Sequence, residues 1–87
     1  MAFNRDKDVE LDSKEVLNDG ANILTIGIYQ YDGGPPKVQI KREIQKSDGE
    51  RKFAKLGRLT LDEVEAVKEG LTWAHNSRWM AESLAPR

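Results

Sequence analysis

Eighty-seven residues with no cysteine, 14 Lys and Arg against 15 Asp and Glu make one small domain and exclude a disulfide framework, a thiolate nucleophile and a Cys-based zinc site. No apolar run approaches the roughly 20 residues of a membrane span, and the charged start Met1 to Asp8 lacks the pattern of a signal peptide, so a soluble, cytoplasmic protein without membrane contact is expected. The formal net charge of −1 hides an uneven spread: residues 1–21 hold 3 bases and 6 acids, residues 22–60 hold 8 and 4, and residues 61–87 hold 3 and 5, which places a basic zone between two acidic ones.

Met1 to about Ser13 is polar, with Phe3, Val9 and Leu11 as its sizeable apolar groups. So little apolar surface does not offset the entropy of ordering, and residues 1–13 are expected as a disordered acidic tail ahead of a folded domain over 14–87. Glu15 to Leu17 makes a short edge strand before the turn signal Asn18-Asp19-Gly20. Asn22 to Tyr31 then alternates clearly: Leu24, Ile26 and Ile28 fall on one face, Thr25, Gly27, Tyr29 and Tyr31 on the other. Asp32-Gly33-Gly34-Pro35-Pro36 breaks that strand, since proline has no amide hydrogen for a ladder.

Lys37 to Lys46 alternates again, with Val38, Ile40 and Ile44 inward and Lys37, Gln39, Lys41, Glu43 and Gln45 outward. Arg42 falls on the apolar side and has to find a carboxylate, a sheet end or solvent, unless a β-bulge turns it over. After a turn at Ser47, Asp48 and Gly49, Arg51 to Leu59 forms a third long strand whose faces parity does not assign. Residues 37–58 thus make a basic β-hairpin holding 8 of the 14 Lys and Arg, the kind of cation ridge a polyanion-binding surface needs.

Thr60-Leu61-Asp62-Glu63 is a capping box that opens a helix. Leu61, Val64, Val67, Leu71 and Ala74 recur at helical spacing. Gly70, costly in mid-helix, marks a close contact with another backbone. The pattern continues through Trp73, Trp79, Met80 and Leu84 to about Ser83. That much apolar surface either folds over its own sheet or pairs with a second copy; the interface reading is favoured, with Val67, Leu71, Trp73, Ala74, Trp79 and Met80 as its contacts.

No catalytic constellation is present. His75 is the only histidine, which excludes H-E-x-x-H and multi-histidine sites and leaves it a packed or interface residue. Neither an enzyme nor a cofactor is expected. What remains is a basic hairpin beside a strand bearing Tyr29 and Tyr31. Single-stranded nucleic acid offers phosphates to cations and unstacked base faces to aromatics. Ordinary strand propensity and a solvated sheet face are the plainer alternatives. The binding candidates are Tyr29, Tyr31, Lys37, Lys41, Arg42, Arg51, Lys52, Lys55 and Arg58.

Four stretches in order, I-L-T-I-G-I-Y-Q-Y-D-G-G, K-V-Q-I-K-R-E-I, D-G-E-R-K-F-A-K-L-G and the capped helix, resemble the positive cofactor four family of transcriptional coactivators over Asn22 to about Leu71. The resemblance implies an α+β fold: a curved antiparallel β-sheet of three to four strands followed by one long C-terminal α-helix, assembled as a dimer. It further implies sequence-tolerant single-stranded DNA binding as a homodimer, in replication, recombination or transcription regulation in a bacterial or phage setting, with replication or transcription proteins as further partners. By position Tyr31 takes the aromatic role before the glycine turn, Lys52 the lysine after Gly-Glu, and Lys55 a base beyond it. Ungapped spacing gives the strand arginine's role to Lys41, whereas the Arg-Glu dipeptide gives it to Arg42. Phe53-Ala54 stands where the family has Pro-Gly, and the family's aromatic after Arg-Glu has no counterpart near Ile44 and Gln45. The alternative functions are a protein-interaction or transcription-regulatory module with a solvated basic sheet, and single-stranded RNA binding.

Overall fold

A computed structural model describes residues 7–84. The chain is an α+β fold: strands β1 (Asp8–Asn18), β2 (Asn22–Tyr31), β3 (Lys37–Gln45) and β4 (Arg51–Ala54), then helices α1 (Leu61–His75) and α2 (Arg78–Leu84). The strands form one antiparallel sheet in the order β1-β2-β3-β4. The alternation of β2 sets the core: Leu24, Ile26 and Ile28 are fully buried and cluster with Val67 and Ala74 of α1. Helices therefore cover one face of the sheet, and the other face is open.

The turn between β1 and β2 is fixed locally. The Asp19 carboxylate accepts from the amides of Ala21 at 3.2 Å and Asn22 at 2.8 Å, and these hydrogen bonds lower its pKa. Gly20 takes φ +100°, a left-handed conformation that disfavours any side chain.

Strand β1 begins at Asp8, so residues 8–13 are not a tail; residues 1–6 of the expected tail lie outside the described residues. The stretch is held by pairing rather than by its own apolar content. Asp8 lies opposite Tyr31, Glu10 opposite Tyr29 and Asp12 opposite Ile28, while two bulges, at Glu10/Asp12 and Glu15/Leu17, shift the register. Leu11, Val16 and Leu17 pack on the core. At the other edge β4 is shorter than the expected Arg51–Leu59 strand. Beyond Ala54 the chain leaves the sheet: Leu56 and Leu59 turn onto the core, and the Leu56 carbonyl accepts from Arg42 instead of a strand partner.

The capping box forms as the sequence predicts. The Glu63 amide donates to Thr60 Oγ1 at 3.2 Å, and the Thr60 amide donates to Glu63 Oε1 at 2.8 Å. At Gly70 α1 lies close against the sheet, but what it meets is side chain and not the expected backbone: a β-carbon there would run into Ile26 and Val16. The single long helix gives way to two. Asn76 caps α1, and Ser77 restarts the chain by accepting from the Trp79 amide at 3.3 Å, the kind of local bond by which Asn and Ser end or begin helices.

The break changes the reading of the apolar surplus. Val67 and Ala74 are buried against the chain's own sheet, so neither has surface left for a second copy. Trp73, Trp79 and Met80 are half-buried and pack on the same core, and Arg78 stacks on Trp79 at 4.6 Å. Leu71 stays 43% exposed and continues an open stripe with Leu61 and Val64. His75 is exposed rather than packed.

Candidate nucleic-acid interface

Residues paired across an antiparallel ladder share a face, so the register sorts the side chains. Glu10, Tyr29 and Lys37 lie in one row, Ser13, Gly27 and Gln39 in the next, and Glu15, Thr25 and Lys41 in the one after. Ile23, Glu43 and Phe53 form another, followed by Gln45 and Arg51. All of these belong to the open face. The cations lie on β3 and β4, the carboxylates mainly on β1.

At the centre stands a cluster of Tyr29, Lys41 and Phe53. The Tyr29 ring folds back over Gly27, which has no side chain to obstruct it; a β-carbon there would lie 3.0 Å from the ring's Cζ. Covering a strand glycine in this way stabilises both residues. The Tyr29 hydroxyl donates to Glu10 Oε1 at 3.2 Å. The Lys41 ammonium sits 5.8 Å from the Tyr29 ring centre and 6.0 Å from that of Phe53, within cation–π reach of both. Hydrogen bonding to the Tyr29 side chain raises its pKa, attraction to Glu10 and Glu43 adds to this, and partial desolvation opposes it. Lys41 is therefore fully cationic at neutral pH. Phe53 is 73% exposed although large and apolar, so a flat ring is presented to solvent beside a fixed positive charge.

Tyr31 is half-buried at the end of this face, opposite Asp8, and Lys37 is exposed opposite Tyr29. Arg42 is on the other side. Its Nε and Nη2 donate to the Leu56 carbonyl at 3.1 and 2.9 Å, and its Nη1 donates to Asn22 Oδ1 at 2.8 Å and to Glu63 Oε2. Asn22 Nδ2 also donates to Glu63 Oε2, at 2.9 Å. Only 12% of the Arg42 side chain and 7% of the Glu63 side chain are exposed. The Arg42 guanidinium, then the Thr60 amide and Asn22, hold the Glu63 carboxyl down at about 2, against an ordinary 4.5. The apolar-face arginine has thus found a carboxylate, and the two ions lock β3 to the N-terminus of α1. Between the two alternatives for the strand cation, the open face receives Lys41; Arg42 lies on the other side, with four of its five N–H donors taken within the protein.

Lys52 pairs with Ile44 and so faces the helix side, exposed at the sheet edge. Lys55 and Arg58 are exposed in the segment that joins β4 to α1. The structure therefore gathers Tyr29, Lys37, Lys41 and Arg51 on one face, with Tyr31 at its end, and separates Arg42 and Lys52 from them. Phe53 is the member that sequence parity does not find, because Arg51–Leu59 alternates too weakly to orient. Its signal was an aromatic inside a basic run, at a position where exposure gains nothing for folding.

Among the described residues no group of three His, Asp or Glu is placed to hold a metal ion, and no helix is long and apolar enough to cross a membrane. Comparison with family models, curated proteins and solved structures finds no significant match.

Proposed function

We propose that the open face binds single-stranded nucleic acid, DNA foremost, with little sequence preference, and that the protein works as a homodimer in replication, recombination or transcription. The observation that carries this reading is the Tyr29–Lys41–Phe53 cluster, with Phe53 73% exposed next to a cation. Stacked bases are worth about 1–3 kcal/mol each, and every base has a π-face, so such a surface is sequence-tolerant. Duplex DNA keeps its base faces hidden and would leave Phe53 idle. Lys37, Lys41 and Arg51 supply phosphate contacts on the same face. Solvation alone accounts for the cations; it gives no reason for an exposed phenylalanine among them.

The dimer reading now rests on the exposed stripe Leu61, Val64 and Leu71 on α1. An antiparallel pairing of two α1 helices about a two-fold axis sets Val64 of one copy near Leu71 of the other and opposes the helix dipoles. The nucleic-acid face lies on the far side of the sheet and stays free in that arrangement.

Fluorescence anisotropy with labelled oligonucleotides tests the function. Three phosphate contacts predict log K falling with log salt at a slope of about −2, using roughly 0.7 per contact for single strands. Single-stranded DNA should bind well ahead of duplex, and an RNA oligonucleotide of the same sequence tests the choice of sugar. No binding to a strand of about 20 nucleotides at low salt, or equal binding to duplex, refutes the reading.

A further inference from the structure

We propose that β1 carries an internal competitor for the open face: the Glu15 carboxylate occupies Arg51 in the free protein, and a phosphate has to displace it. The inference rests on the nucleic-acid reading of that face and specifies its regulation. Strands β1 and β4 are opposite edges of the sheet, yet Arg51 Nη2 and Glu15 Oε1 meet at 3.4 Å. The register shows their route. Glu15 lies opposite Thr25, Arg51 lies opposite Gln45, and the Gln45 amide donates to the carbonyl of Ala21. A line from Glu15 to Arg51 therefore crosses β2 at Ile23.

Ile23 belongs to the open face by its pairing with Glu43. It is nevertheless fully buried and stands outside the helix-side core cluster. A side chain on the uncovered face reaches zero exposure only if its neighbours close over it, and the Glu15–Arg51 bridge passes directly across. The bridge itself is accessible, with the Arg51 and Glu15 side chains 44% and 42% exposed. An ion pair between half-exposed groups is weak and exchanges readily. Glu10 stands on the same strand and face and holds the Tyr29 hydroxyl next to Lys41. The acidic strand thus sets carboxylates against two of the positions a nucleic-acid strand would use. Binding replaces a carboxylate with a phosphate at Arg51, so affinity is moderated without loss of the cation.

The test is a double-mutant cycle on binding to a labelled oligothymidylate of about 20 nucleotides. Glu15→Gln should tighten binding roughly two- to fivefold at low salt, the range that an exposed ion pair represents. The gain should shrink as salt screens the pair, and Glu15→Gln should give little gain when Arg51→Gln is already present. Glu65→Gln, on α1 and away from the sheet face, makes the same change in net charge and should leave affinity nearly unchanged. A gain from Glu15→Gln that is independent of Arg51, or no larger than that from Glu65→Gln, overturns the competitor while leaving nucleic-acid binding intact. Absence of binding by both the natural sequence and Glu15→Gln overturns the nucleic-acid reading and the competitor together. Binding by Glu15→Gln alone supports both.

Discussion

Replacing Phe53 with alanine isolates the aromatic part of the interface. The ring is 73% exposed and outside the helix-side core, so its removal should change folding stability by well under ~1 kcal/mol. If a base stacks on it, the variant forfeits about 1–3 kcal/mol of binding free energy, which is about 5- to 150-fold in Kd. Phenylalanine carries no charge, so the salt slope should stay where it was. Lys41→Gln should behave differently: it removes a phosphate contact and makes the slope less steep by about 0.7. Tyr29 would be a poorer probe, because its ring also covers Gly27 and its hydroxyl donates to Glu10, which mixes stability with binding. Anisotropy titrations at several salt concentrations, with thermal melts of the same samples, separate the two contributions, and Phe53→Trp should restore affinity. Phe53→Ala binding as tightly as the natural sequence, with an unchanged melt, would refute stacking at this position.

Gly70→Ala tests the closeness of α1 to the sheet. A β-carbon would lie 2.8 Å from Val16 Cγ1 and closer still to the fully buried Ile26, and neither contact is the free end of a long side chain. Overpacking costs about 1–3 kcal/mol and outweighs the ~1 kcal/mol gained in helix propensity, so Tm should fall by several degrees; an equal or higher Tm contradicts the packing. Glu63 gives a pH dependence. Its folded pKa of about 2 lies below the ordinary 4.5, so its contribution to stability is complete above about 4.5 and is lost as pH falls towards 2. Chemical denaturation across that window should show the natural sequence losing stability faster than Glu63→Gln; parallel curves would remove Glu63 from the account. For the dimer, sedimentation should give twice the chain mass at micromolar concentration, and Val64→Glu with Leu71→Glu should give a folded monomer. A natural sequence that stays monomeric defeats the pairing of α1 helices.

The local devices were legible in the chain itself. The β2 alternation, the turn at Asn18-Asp19-Gly20 and the capping box at Thr60 and Glu63 depend on contacts within a few residues, and period and residue type are enough to specify them. The sequence was also enough to mark Arg42 as an apolar-face cation in need of a partner and Gly70 as a close approach, though not that the approach is to the side chains of Ile26 and Val16 instead of a backbone. It did not mark Asp8 to Ser13 as strand, because a polar edge strand is stabilised by the ladder of its neighbour and not by its own composition. Nor did it reveal the break at Asn76 and Ser77, since the apolar repeat runs on through it.

The tertiary structure decided which charges work together. Glu63 lies 21 residues from Arg42, and no local pattern says that this carboxylate, rather than solvent, answers that arginine. Register across four strands decided that Lys41 and Phe53 share the open face, that Lys52 does not, and that Glu15 reaches Arg51 from the opposite edge. By itself the sequence determined that the centre of the chain is basic and lies beside two tyrosines, because charge and alternation are properties of neighbours. Which cations face outward, and which carboxylates restrain them, depends on long-range pairing, and long-range pairing exists only once the sheet has formed.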